Sequence, residues 1–162
     1  MPETARILDQ LRRAFDGDAW SGPSLVATLQ GVTAAQARQR PLPAAHSIWE
    51  IVLHVTAWVR MVQQRLAENR LVEMLDADNW PALPESTDEA AWQRAQQDLY
   101  AAHVALLTTA ARFHEADLTQ ELGATPDQPQ GAGVTNYVLL HGVAQHNLYH
   151  AGQGALLKKA FV

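Results

Sequence analysis

Cysteine is absent from the 162-residue sequence. That absence excludes disulfides, thiolate zinc sites, iron–sulfur clusters and a cysteine nucleophile. A metal in this chain must rest on imidazole, carboxylate or carbonyl oxygen. Positive charge is scarce as well: 12 Lys+Arg stand against 17 Asp+Glu, for a net charge of -5. A chain that clamps many phosphates needs the opposite balance, so a nucleic-acid partner is not expected. Long apolar runs are also missing, and none approaches the length of a membrane span. The N-terminal MPETARILDQLRR interleaves charges with its apolar residues and does not read as a signal peptide. Internal repeats, low-complexity tracts and sustained period-2 alternation are likewise absent. With 48% hydrophobic and 18% charged residues, the composition is that of a folded globule. At this length one domain over residues 1–162 is expected, soluble and cytoplasmic, with a core that needs no staples.

Helical periodicity is what the sequence has instead. A first helix is predicted from Glu3 to about Phe15, with Ile7, Leu8, Leu11 and Phe15 on one face. Ser24 can cap a short helix carrying Leu25, Val26 and Leu29, and Thr33 opens another brief turn before Pro41 and Pro43. Ser47 and Glu50 form a capping box. The helix after it aligns Ile48, Ile51, Val52, Val55, Val59, Val62 and Leu66, and runs to about Asn69. Residues 70–86 read as a connecting loop. Ser86 and Glu89 repeat the capping pattern ahead of a third long helix ending near His114, with Trp92, Ala95, Leu99, Ala102, Leu106, Ala110 and Phe113 in register. The Gly123–Gly133 stretch is too rich in glycine and proline to be regular. Thr135 then starts a last helix reaching about Lys159, whose Lys158 and Lys159 suit the negative end of the dipole. Four long amphipathic segments predict an all-α fold, a four-helix bundle. The last helix is apolar on two sides, Leu139, Val143 and Leu157 on one, Val138, Tyr149 and Leu156 on the other. A helix of that kind is central or is covered by a second copy of the chain, so a homodimer is expected.

With no cysteine, the seven histidines are the natural metal ligands. His146 and His150 lie four residues apart, separated by about 40° and about 6 Å of rise, and both rings can reach one ion. They share an arc, one of the two expected buried stripes, with Leu139, Val143, Gln153 and Leu157. Two imidazoles in a core stripe need partners, because an unsatisfied buried polar group costs about 1–3 kcal/mol. One metal satisfies both, and so do two separate hydrogen bonds. A site also needs a third ligand. His54 flanks the core stripe of the second long helix beside Ile51 and Trp58, a position that also suits a boundary histidine half in solvent. His141 points about 140° away from His146. His103 and His114 are about 16 Å apart along their helix, and His46 precedes a cap and reads as exposed. The choice narrows to His54, His146 and His150. Three neutral nitrogens leave a coordination position open, which is the arrangement of a catalytic metal.

The stretch HSIWEIVLHVTAW (His46 to Trp58) resembles the second helix of the DinB-like, or YfiT-like, metalloenzymes. HGVAQHNLYHAGQGALLKK (His141 to Lys159) resembles their last helix, with its H-x3-H-x2-Q signature. The order of these motifs matches, and the AWSGPS turn and LPESTDEAAW lead look similar too. The resemblance implies a four-helix bundle, often a homodimer, with a divalent metal held near one end. Its ligands are His54, His146 and His150, with Gln153 at the family's glutamine. Zinc and nickel are the first candidates for the ion. The wider superfamily holds transferases that use low-molecular-weight thiols such as bacillithiol and mycothiol, and the family's name reflects induction by DNA damage. A metal-dependent thiol S-transferase acting on small electrophiles is therefore the leading expectation. A metal-binding, stress-induced bundle without turnover is the alternative. Trp58 and Glu50, each one turn from His54, are candidates for the pocket wall and for a supporting acceptor or base. Trp80, on the connecting loop, is a further candidate for that wall, though ordinary packing suits it better, and Glu50 already has its duty in the cap at Ser47.

Overall fold

The computed structural model describes residues 1–129 and 131–161. Eight helices follow one another: α1 (Glu3–Phe15), α2 (Leu25–Leu29), α3 (Ala34–Ala37), α4 (Ile48–Glu68), α5 (Asp76–Asn79), α6 (Glu89–Ala110), α7 (Glu115–Leu118) and α8 (Asn136–Lys159). No strand occurs among the described residues, only two isolated bridges in the 121–135 segment. The four long helices close a ring in which α8 packs between α1 and α4, and α6 packs against both of those. That is the expected all-α bundle.

The caps explain where the helices start. At α4 the Ser47 N–H donates to Glu50 Oε2 at 2.7 Å, and the Glu50 N–H donates back to Ser47 Oγ at 3.2 Å. Thr135 Oγ1 accepts from Val138 N–H at the head of α8. One start differs from the expectation. Asp88, not Ser86, caps α6: Asp88 Oδ1 takes the Ala91 N–H at 2.7 Å, while the Ser86 hydroxyl donates to Asp88 Oδ2. A carboxylate is the stronger acceptor at the positive end of a helix. Glu89, freed from capping, instead accepts the Ala34 N–H at 2.9 Å and ties α3 to α6. The end of α6 also falls earlier, at Ala110, because His114 begins α7 with its own N–H held by Asp117.

Between the helices sits one apolar core. The Trp49 and Trp92 rings meet at 5.2 Å, and the Trp92 indole N–H donates to Val32 O at 2.8 Å. Phe15, Leu11, Val52, Val55, Leu99, Leu106 and Leu140 are fully buried around them, each worth roughly 1.5–3 kcal/mol. The α8 helix uses only one of its two apolar faces here. Val143 and Leu157 are buried, whereas Val138, Tyr149 and Leu156 are 54%, 65% and 60% exposed. Within the single chain α8 therefore keeps an open outer face. The loop before α8 turns tightly at Gly131 (φ 45°), where a Cβ would stand 2.3 Å from Leu122 O.

Candidate metal centre

The second turn of α4 and the middle turns of α8 supply the site. The α4 stripe of Ile51, Val52, Val55 and Val59 faces the core, and this puts His54, on its flank, at the seam with α8. The four-residue spacing of His146 and His150 stacks their rings on the α8 face that meets the same seam. His54 and His150 are buried, and His146 is half-buried. His146 Nε2 stands 3.1 Å from His54 Nε2 and 3.1 Å from His150 Nε2. The ligand atoms of all three lie within 4.8 Å of one another.

Hydrogen bonds decide which nitrogens are bare. The His54 Nδ1–H donates to the main-chain oxygen of Asn79 at 2.5 Å, and the His150 Nδ1–H donates to Gln153 Oε1 at 2.7 Å. A neutral imidazole that donates from Nδ1 has only a lone pair at Nε2. Two lone pairs therefore face His146 Nε2, which can carry at most one proton between them. A positive ion satisfies all three nitrogens at once. The two 3.1 Å separations are close to the edge of about 3.3 Å spanned by ligands at 2.0–2.1 Å on a tetrahedral ion.

Electrostatics keep the rings in the form a metal needs. Burial, and then the neighbouring His150 and His54, push His146 down from the ordinary histidine value to about 3. Burial lowers His150 to about 4 against the opposing effect of its hydrogen bond to Gln153. His54 is lowered too, by burial, with the Asn79 carbonyl working the other way. All three are neutral at physiological pH, so no proton has to leave before a cation binds.

The surroundings contain two residues that sequence reading passed over or undervalued. Asn79 ends α5, the single helical turn inside the expected 70–86 loop. Its main-chain oxygen orients His54, and its side-chain Oδ1 accepts the Trp58 indole N–H at 2.8 Å. A main-chain acceptor leaves no mark in sequence; only the fold discloses it. Trp80 follows and is no ordinary loop packing residue. Its ring is sandwiched between His54 (3.8 Å, 11°) and His46 (3.6 Å, 6°). His46, expected to be exposed, is accordingly half-buried. Trp58 stands beside the cluster as its spacing suggested, 5.9 Å from His146 and 6.3 Å from His54. Gln153 is the hydrogen-bond acceptor of His150. Glu50 makes no such contact. Its carboxylate turns back to the cap at Ser47 and pairs with Arg40. Burial works to raise its pKa, but Arg40 and the Ser47 donors win and hold it at about 2. His141 and His103 stay outside the cluster.

A family model described as the DinB superfamily matches residues 18–153, a span that includes His54, His146, His150 and Gln153. The chain belongs to the DinB superfamily. That superfamily includes metal-binding members, and the three histidines of this DinB-superfamily chain can hold a metal ion. The chain also resembles a solved structure, the "conserved protein of locus from Enterococcus faecalis", with a TM-score of 0.65 and 18% identity. The match covers 99% of this chain and 97% of that one, and it shows a shared fold. No curated protein sequence matches. No helix among the described residues is long and apolar enough to cross a membrane.

Proposed function

We propose that this DinB-superfamily protein is a divalent-metal-dependent transferase that joins a low-molecular-weight thiol to a small electrophile. The observation that carries the reading is the pair of Nε2 lone pairs, on His54 and His150, aimed at His146 Nε2. In this reading His54, His146 and His150 hold the ion, with zinc and nickel the first candidates because imidazole suits both. A divalent ion so held makes a neighbouring thiol acidic enough to ionise near neutral pH. The chain has no cysteine, so the sulfur belongs to a cosubstrate. The S–H proton goes to solvent, a C–S bond forms, and the electrophile's leaving group departs with its bonding pair.

The protein's own residues orient and enclose. The Asn79 carbonyl and the Gln153 amide fix the rings of His54 and His150 so that Nε2 points inward. Trp80 and Trp58 cover two flanks of the cluster and keep water from them. The reducing cytoplasm, where such thiols stay reduced, is the compartment this chemistry requires. The open outer face of α8, with Val138, Tyr149 and the fully exposed Trp20, is the surface for a second copy of the chain. Sedimentation at micromolar concentration reports that dimer directly.

The test is elemental analysis of untagged protein, followed by incubation with bacillithiol, mycothiol or glutathione and 1-chloro-2,4-dinitrobenzene. We expect one metal per chain and a metal-dependent thioether product by mass spectrometry. Bound metal with no conjugate from any thiol would reject the transferase and leave a metal-binding bundle without turnover. No bound metal would reject both.

A further inference from the structure

A concavity adjoins the histidine cluster, formed by the segment leading into α4, the first turns of α4 and the last turns of α8. It has a volume of about 310 Å³, and its walls include Ala45, His46, Ile51, Trp80, Gln153 and Leu156. Two of these residues touch the candidate metal ligands: Trp80 stacks on His54, and Gln153 accepts from His150. We infer that this pocket binds an uncharged aromatic ring bearing a carbonyl or nitro oxygen, with the Gln153 amide N–H donating to that oxygen. Taken with the proposed transferase, on which this last step rests, it is the seat of the electrophile's apolar part.

Three observations support the choice of ligand. No Asp, Glu, Lys or Arg lines the pocket, and the carboxylate nearest to it in sequence, Glu50, is engaged by Arg40 and Ser47. A charged group entering would lose water and meet no counter-charge. The stacked Trp80 and His46 rings, 3.6 Å apart, both line the space; because a histidine covers each face of Trp80, its ring meets a guest through its edge, the side that favours an edge-to-face aromatic contact. Two side chains bring polar atoms to the space, His46 and Gln153: His46 Nδ1 faces the Glu50 carboxylate at 3.8 Å, and Gln153 Oε1 is committed to His150, which leaves the Gln153 NH2 group as a donor. An apolar cleft with a few convergent polar groups is the ordinary form of a small-molecule site. Size narrows the ligand further. A dry cavity of about 150 Å³ holds benzene, so a pocket twice as large takes a substituted ring or a bicycle. A thiol cosubstrate rich in carboxylates does not belong here.

The experiment uses 19F NMR titrations of metal-free and zinc-loaded protein with 4-fluoroacetophenone, 4-fluoroethylbenzene and 4-fluorobenzoate. The ketone should bind about fivefold tighter than the ethyl compound, the worth of one hydrogen bond, and at least tenfold tighter than the carboxylate. Gln153→Met, measured on metal-free protein, should reduce the ketone-to-ethyl ratio to near one. Ala45→Phe fills the pocket and should weaken the ketone tenfold or more. Leu42→Glu, at an exposed rim position away from α8, should weaken it as well. Equal binding of benzoate and ketone overturns the inference, as does unchanged affinity in both Ala45→Phe and Leu42→Glu. Affinity that falls as the protein concentration rises and dimers form assigns the pocket to a second copy, and overturns it too. Ring binding by a protein that makes no thioether leaves the pocket standing and rejects the transferase. Thioether formation without ring binding does the reverse.

Discussion

Zinc should stabilise this protein against heat through three specific rings, and the size of the effect follows from the geometry. The Nε2 lone pairs of His54 and His150 each lie 3.1 Å from His146 Nε2, so His146 is the apex the other two share. With free zinc at 100 times its dissociation constant, binding to the folded state alone adds about 2.7 kcal/mol. In a chain of this length each kcal/mol moves Tm by about 2–4 °C, so scanning calorimetry should show a rise of about 5–11 °C. His146→Ala removes the apex and should abolish the rise. His141→Ala, on the same helix but outside the cluster, should keep it. The pH dependence has a definite sign. Protons compete with the ion for the ring nitrogens, and burial has already lowered His146 to about 3 and His150 to about 4. With His54 lowered by burial as well, the shift should persist to a lower pH than three ordinary histidines would allow, and be lost as the pH falls toward 4. Equal loss of the shift in both alanine variants would refute the convergence argument. A shift that halves between pH 7.5 and 6 would refute the burial argument.

Two further outcomes test the frame around the site. His103 is 2% exposed and stacked on Phe15 at 3.8 Å; burial, then the charge of Arg12, lower it to about 4. The unfolded chain binds this proton near pH 6.5, so the stability it supports is complete above that value and is lost as pH falls toward 4, at about 1.4 kcal/mol per unit. His103→Phe should remove one proton from the pH slope of urea unfolding between pH 6.5 and 4.5; an unchanged slope contradicts this. Trp58→Phe and Asn79→Ala each break the 2.8 Å bond between the Trp58 indole and Asn79 Oδ1. Each should cost about 1 kcal/mol, and the double variant should cost about 1 kcal/mol less than the sum. Strict additivity in chemical denaturation would mean that the bond contributes nothing.

Local chemistry made much of the scaffold legible. Ser47 with Glu50, and Thr135, mark helix starts through a side chain and a backbone N–H three residues away, and such signals do not depend on tertiary context. The same logic slipped at Ser86, because Asp88, two residues on, is the stronger acceptor and starts the helix there by taking the Ala91 N–H. The inward direction of His146 and His150 was readable because spacing on one helix fixes relative angle. Glu50 shows the converse: one turn from His54 on the wheel, it is held at the cap by Ser47 and Arg40.

The bounds of α1, α4 and α8, the apolar stripes and the pairing of two histidines on one rod were determined by sequence alone, since each depends on contacts within about four residues, whereas both ends of α6 moved. Where His54 meets that pair is a matter of how α4 lies against α8. The roles of Asn79 and Trp80 depend on where a folded-back loop comes to rest, one through a peptide oxygen that every residue possesses and one through ring stacking. Those relations join groups 25 to 92 residues apart. Only packing the whole chain decides them, because periodicity carries no information beyond its own helix.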